Sequence, residues 1–140
     1  MSHLFAYLSR MKFIRRWGLM HSTYPENVQE HSLRTAQVAH ALALIRNRSH
    51  DDTVDAGRIA VLALNHDASE VLTGDLPSPI KYLHPDIKDA YKEIEGSATE
   101  TLLGMVPEPL RGDYRSVLVE DEWSVDAVDE IDLPEVRSFM

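Results

Sequence analysis

Residues 55–77 read DAGRIAVLALNHDASEVLTGDLP, and the pattern along them decides the fold class. Ile59, Leu62, His66 and Glu70 recur at spacings of three and four, which puts them on one face of a helix predicted from about Asp55 to Leu72. A histidine therefore stands where a core residue is expected. Asp67 is its neighbour and Glu70 follows one turn later. Gly74, Pro77 and Pro79 then break the helix.

The same period extends outward in both directions. Upstream, Asn27 is a helix-capping residue with Glu30 three positions on, a capping-box pattern. The helix it opens carries Val28, Thr35, Val38, Leu42 and Ile45 as its apolar stripe. His31 falls on that stripe and His40 on the opposite side. A first helix is expected from about Ser2 to Phe13, with Leu4, Leu8 and Met11 on one face. The polar loop HSTYPEN (residues 21–27) separates the two. Downstream, Pro85 suits the first turn of a helix. Its stripe would be Ile87, Tyr91, Ile94, Ala98, Leu102 and Met105, with Pro107 ending it. A short helix over about Leu110 to Leu118 is expected, and Asp132–Glu135 resembles one more helix start. No strand pattern and no repeat interrupts this series, so the chain reads as one all-α bundle.

Composition narrows the function. The chain has 140 residues, the size of a single domain, and 44% of them are hydrophobic, enough for a core. No apolar run approaches the length of a membrane span. The N-terminus lacks the order of a signal peptide. There are no cysteines, which excludes disulfides, thiolate metal sites and a cysteine nucleophile, and suits the reducing cytoplasm. The net charge of −9 repels polyanions, so a nucleic-acid polymer is not an expected partner. The charge is uneven. Arg10, Lys12, Arg15 and Arg16 cluster early, a patch able to receive one small phosphate, whereas residues 113–135 carry nine acids and one base.

The chemistry rests on His31, His66 and Asp67. Imidazole nitrogens and a carboxylate oxygen suit borderline divalent metals such as Zn, Co or Mn. Such a metal acidifies bound water and withdraws charge from a phosphoryl oxygen. A single histidine on an apolar face is more often a hydrogen-bonded core residue. Two of them, one beside an aspartate and one a turn from a glutamate, shift that balance, because so much polarity is costly to bury without a shared purpose.

The strings Glu30-His31-Ser32-Leu33 and Asn65-His66-Asp67-Ala68-Ser69-Glu70-Val71-Leu72-Thr73-Gly74-Asp75-Leu76-Pro77 resemble the HD-domain 5′-deoxynucleotidases of the YfbR type. Arg16-Trp17, Pro79, Lys81 and Tyr82 match as well, and the resemblance runs from about Leu4 to Leu110. It implies an HD-domain helical bundle that hydrolyses deoxyribonucleoside 5′-monophosphates, with a divalent cation, often cobalt-like, in a homodimer. By position it implies His31, His66 and Asp67 as metal ligands, with His31 and Asp67 also facing the substrate. Arg16 would orient the phosphate, Trp17 would lie against the sugar and favour its 2′-deoxy form, and Glu70 would assist proton transfer. Asp75, Leu76, Pro77 and Ser78 would line the nucleotide pocket.

Each role has a plainer counterpart. Arg16 could be a solvated charge, Trp17 core packing, Glu70 a partner that orients a ligand histidine, and Asp75 a turn residue rather than a partner of Arg16.

The sequence departs from the family after about residue 121. The family's fourth metal ligand, an Asp on a later helix, has no counterpart here, and residues 125–140 (VDAVDEIDLPEVRSFM) resemble a segment near the family's C-terminal end. The expectation is a single HD domain over residues 1–140 that lacks an internal stretch. Asp126, Asp129 or Asp132 could replace the missing ligand, although such acids are more often solvated or capping residues. Another HD phosphohydrolase activity, on a diester or triphosphate, and an inactive nucleotide- or metal-binding remnant both remain open at this point.

Overall fold

The computed structural model describes residues 3–51 and 53–119. Their order is α1 (Leu4–Leu8), a 3-10 turn (Ser9–Phe13), α2 (Val28–Ser49), α3 (Ala56–Asn65), α4 (Glu70–Thr73), α5 (Ser78–Lys81), α6 (Pro85–Gly104), a 3-10 turn (Glu108–Leu110) and α7 (Arg111–Leu118). The all-α expectation holds among the described residues. The only strand-like pairing there is an isolated antiparallel bridge between Arg15 and Asn27. The expected helix start at Asp132–Glu135 and the candidate ligands Asp126, Asp129 and Asp132 lie outside the described residues.

Local chemistry sets the helix starts as read. Asn27 Oδ1 accepts from the Glu30 backbone N–H at 2.9 Å and Glu30 Oε2 accepts from the Asn27 N–H at 3.4 Å, completing the capping box of α2. Asp55 caps α3 through the Arg58 N–H. Pro85 occupies the first turn of α6, where its missing N–H costs nothing.

Three expectations are corrected. The first helix is α only through Leu8 and then tightens into a 3-10 turn, which still leaves Leu4 and Met11 buried. The stripe expected on α2 is buried only in part, at Val28 and partly at Thr35 and Leu42. Val38 and Ile45 are about half exposed, and Ser32, Ala36, Ala39 and Ala43 lie inside. The three alanines face Ile59 and Ala63 of α3 in one compact cluster. Close approach of two backbones favours small residues at the contact over bulky ones. On α6, likewise, Ile94 is exposed while Leu103 is buried beside Leu102.

The third correction concerns residues 55–72. The helix does not run through. It stops at Asn65, turns over residues 66–69, and resumes as α4. Short turn bonds close the interruption, from Ala68 N–H to Asn65 C=O at 2.9 Å and from Glu70 N–H to Asp67 C=O at 3.1 Å. The His-Asp pair thus sits in a turn between two helices.

A second, larger core joins the elements around that turn. Leu4, Met11, Val28, Ala68, Val71, Leu102, Leu103, Val106 and Leu118 are buried together. Ala68 and Val71 flank the His-Asp turn, so the core fixes its position from below. Gly74 ends α4 with φ of +76°, a conformation only glycine adopts without strain, and its carbonyl accepts from Tyr91 Oη of α6 at 3.2 Å. That bond ties the Asp75–Pro77 loop to α6.

Candidate active site

His31 comes from the second turn of α2, and His66 and Asp67 come from the turn after α3. One ligand atom from each lies within 4.8 Å of the others. His31 Nε2 is 3.7 Å and His66 Nε2 is 3.1 Å from Asp67 Oδ2, and the two rings are 5.2 Å apart between centroids.

The hydrogen bonds assign the ring nitrogens. His66 Nδ1 lies 2.7 Å from the Ala63 carbonyl, which only accepts, so Nδ1 carries hydrogen. Were the ring neutral, its Nε2 would turn a lone pair toward a carboxylate oxygen 3.1 Å away. Two acceptors at that distance call for a positive centre between them, either a second ring proton or a cation. The donor set of two imidazoles and one carboxylate therefore fits a divalent metal.

His31 Nδ1 faces the Nη1 of Arg16 at 2.7 Å. Guanidinium only donates, so Nδ1 accepts and Nε2 carries hydrogen. Ligation through Nε2 would require the ring hydrogen on Nδ1, which would then no longer accept from Arg16. Burial, then the Arg16 charge, hold the His31 pKa below its ordinary value, which keeps the ring neutral and ready to ligate. Burial pushes Asp67 up, but the hydrogen bond and charge of His66 outweigh it and keep the carboxyl ionised. Glu70 is different. Burial, reinforced by the charges of Asp67 and Asp75, raises its pKa to about 8, and its buried Oε2 has no hydrogen-bond partner. It is a protonated carboxyl near neutral pH, one turn from the ligands.

The sequence offered Asp75 either as a partner of Arg16 or as a turn residue. The structure gives the place beside Arg16 to Glu26, which the sequence reading passed over. Arg16 Nη1 donates to Glu26 Oε2 at 2.6 Å, Trp17 Nε1 donates to the same oxygen at 3.3 Å, and Arg34 Nη1 donates to Oε1 at 2.8 Å. One signal was legible. Glu26 is the first acidic residue of the chain, after four Lys and Arg. Asp75 lies further off in a half-buried loop, where burial raises its pKa and the Arg16 charge opposes that rise. Leu76 and Pro77 are half-buried in the same loop, and Ser78 is exposed at the start of α5. This loop meets the Trp17 segment, because a Cβ added at Gly18 would lie 4.0 Å from the Pro77 side chain. Trp17 is 46% exposed, has φ of +66°, and stacks under the Arg16 guanidinium at 5.3 Å. His31, His66, Asp67, Arg16 and Trp17 are thus joined by direct contacts, and the Asp75–Pro77 loop approaches the segment that follows Trp17.

Comparison with known proteins identifies the family and the fold. The family described as 5′-deoxynucleotidase YfbR-like matches residues 3–134. A 5′-deoxynucleotidase from Vibrio cholerae is 56% identical over 120 residues, which are 86% of this chain and 62% of that protein. One from Shewanella oneidensis is 54% identical over 121 residues, again 86% and 62%. The chain thus spans slightly less than two thirds of the length of these relatives. Among solved structures, an HD-domain phosphohydrolase from Listeria innocua superposes with a TM-score of 0.77 at 24% identity, over 91% of this chain and 62% of that one. The cyanophage S-2L HD phosphohydrolase DatZ, solved with dA and one catalytic Zn2+ ion, gives 0.56 at 23% identity, over 90% and 78%. The family match over residues 3–134 places this chain in the 5′-deoxynucleotidase YfbR-like family, and the superposition gives it the HD-domain fold.

Proposed function

We propose that this chain acts as a metal-dependent 5′-deoxynucleotidase, releasing phosphate from deoxyribonucleoside 5′-monophosphates. The observation that carries the reading is the convergence of His31, His66 and Asp67, with the Arg16 guanidinium directly beside them. In this reading the three are the metal ligands, and a divalent cation held there supplies an acidified water and draws charge from the phosphoryl group. Arg16 has five N–H donors in a rigid fork and spends only part of them on Glu26 and His31, so it grips the phosphate of the substrate. It offsets the negative charge that grows on the phosphoryl oxygens. Water attacks phosphorus and gives up one proton to solvent as the bond to the 5′-oxygen breaks, while Glu70 gives its proton to that leaving oxygen and afterwards regains one from solvent. The Trp17 ring lies against the sugar, where an added 2′-hydroxyl would meet an apolar wall, and Asp75, Leu76, Pro77 and Ser78 line the nucleoside pocket beside His31 and Asp67.

Membership of the family supports this substrate and a single HD domain as the working unit. The same resemblance supports a cobalt-like metal, a homodimer and a cytoplasmic setting, which light scattering and metal analysis of the protein from its own cells would test. For the activity itself, the test is phosphate release from dAMP, AMP, dATP and a cyclic nucleotide. His66→Ala or Asp67→Ala should abolish release from dAMP while the helical signal in circular dichroism persists. Release at the wild-type rate from either variant removes the proposal, and preference for the triphosphate or the cyclic substrate replaces it with another HD phosphohydrolase activity.

A further inference from the structure

Nine residues separate Arg16 from Glu26, and the chain between them leaves the helical scaffold and returns. Its base is pinched by backbone pairing. Arg16 N–H donates to Glu26 C=O at 3.1 Å and Val28 N–H to Ile14 C=O at 3.0 Å. The side chain of Glu26 closes the same base from the other side, through Arg16 and Trp17 on one oxygen and Arg34 on the other. Only 13% of that side chain is exposed. Burial pushes its pKa up, yet the hydrogen bond and charge of Arg16 hold the carboxyl below its ordinary value, so it is ionised.

Two further observations give this carboxylate a task. Trp17 sits in the left-handed region, which a bulky L residue avoids unless its surroundings hold it there. Glu26 Oε2 supplies the bond to its indole N–H. Arg16, for its part, is shared between His31 and Glu26. The His31 share is the one that ends if the ring ligates a cation through Nε2. Glu26 is then the anchor left to the guanidinium.

We propose that Glu26 is a positioning residue that holds Arg16 and Trp17 as one unit through a single carboxylate oxygen, setting the phosphate grip and the sugar wall in a fixed register, so that selection of the 2′-deoxy monophosphate depends on it. The proposal rests on the roles assigned to Arg16 and Trp17 above and adds the residue that couples them. Glu26 touches neither substrate nor metal in this account. It acts through the two side chains it binds.

The test uses the whole chain with Trp123→Phe, so that emission reports Trp17 alone. Glu26→Ala and Glu26→Gln are compared for Trp17 emission without ligand, and for kcat and KM on dAMP and AMP. Loss of a hydrogen bond to a charged partner is expected to raise KM for dAMP about ten- to a hundredfold in Glu26→Ala. The preference for dAMP over AMP should narrow, and Trp17 emission should shift to the red. Glu26→Gln keeps a neutral acceptor of the same shape, so it should restore most of the emission and only part of the KM. An active Glu26→Ala variant with wild-type KM, wild-type preference and unshifted emission overturns the proposal. So does a variant whose only change is a lower melting temperature. The proposal and the reading beneath it fail separately. If the parent chain releases no phosphate from dAMP, the deoxynucleotidase reading falls. The ligand-free emission of Glu26→Ala still decides whether this carboxylate holds Trp17.

Discussion

Replacing Glu70 by Gln isolates one buried proton. Glu70 binds its proton up to about pH 8 in the folded chain, against 4.5 for an ordinary glutamate. Above 4.5 the unfolded chain loses this proton freely while the folded chain keeps it. The folded state then holds more protons, so stability falls as pH rises from 4.5 to about 8 and levels off beyond. Each tenfold change in acidity is worth about 1.4 kcal/mol, which sets an upper bound of about 5 kcal/mol on the loss. Glu70 is half-buried rather than sealed, and solvent screening reduces this to on the order of 2 kcal/mol. Gln has nearly the same shape and never ionises. In metal-free protein, Glu70→Gln should therefore match the wild type near pH 4 and exceed it by about 2 kcal/mol near pH 9. Urea unfolding followed by circular dichroism in the presence of a chelator measures the difference. Asp67 and His31 also titrate abnormally, but they are common to both proteins and cancel to first order in the comparison. A stability difference that stays flat between those two pH values refutes the claim that Glu70 is buried as a neutral acid, and with it the assignment of Glu70 as proton donor.

Two more outcomes follow from the geometry. Addition of Zn, Mn or Co at about a hundred times its dissociation constant should stabilise the chain by about 2.7 kcal/mol, read as a higher melting temperature; Asp67→Asn should lose most of that rise, and an undiminished rise would place the ion elsewhere. Gly74→Ala should cost about 1 kcal/mol, because the φ of +76° strains any side chain while no neighbouring atom lies within 4 Å of the new Cβ; a neutral result in thermal unfolding would show that the turn relaxes freely.

Much of this molecule was written locally. The Asn27–Glu30 capping box, Asp55 as a cap, Pro85 in a first turn and Gly74 at a helix end all act over a few residues, so their chemistry could be read from neighbours in sequence. The placement of His31 and His66 toward a shared interior also followed from helical period, and the motif around residues 65–77 carried the family. What only the tertiary structure decided are contacts that depend on how closely two backbones approach. Hydropathy marked Val38 and Ile45 as the inner face of α2. The face packed on α3 is instead Ala36, Ala39 and Ala43, which meet Ile59 and Ala63. The break at residues 66–69 is invisible to periodicity, since its turn bonds leave the spacing of apolar residues unchanged. Glu26 was hidden for a related reason. It reaches Arg16 and Trp17 across a loop rather than along a helix, and a bond closed by a loop has no period for the sequence to display.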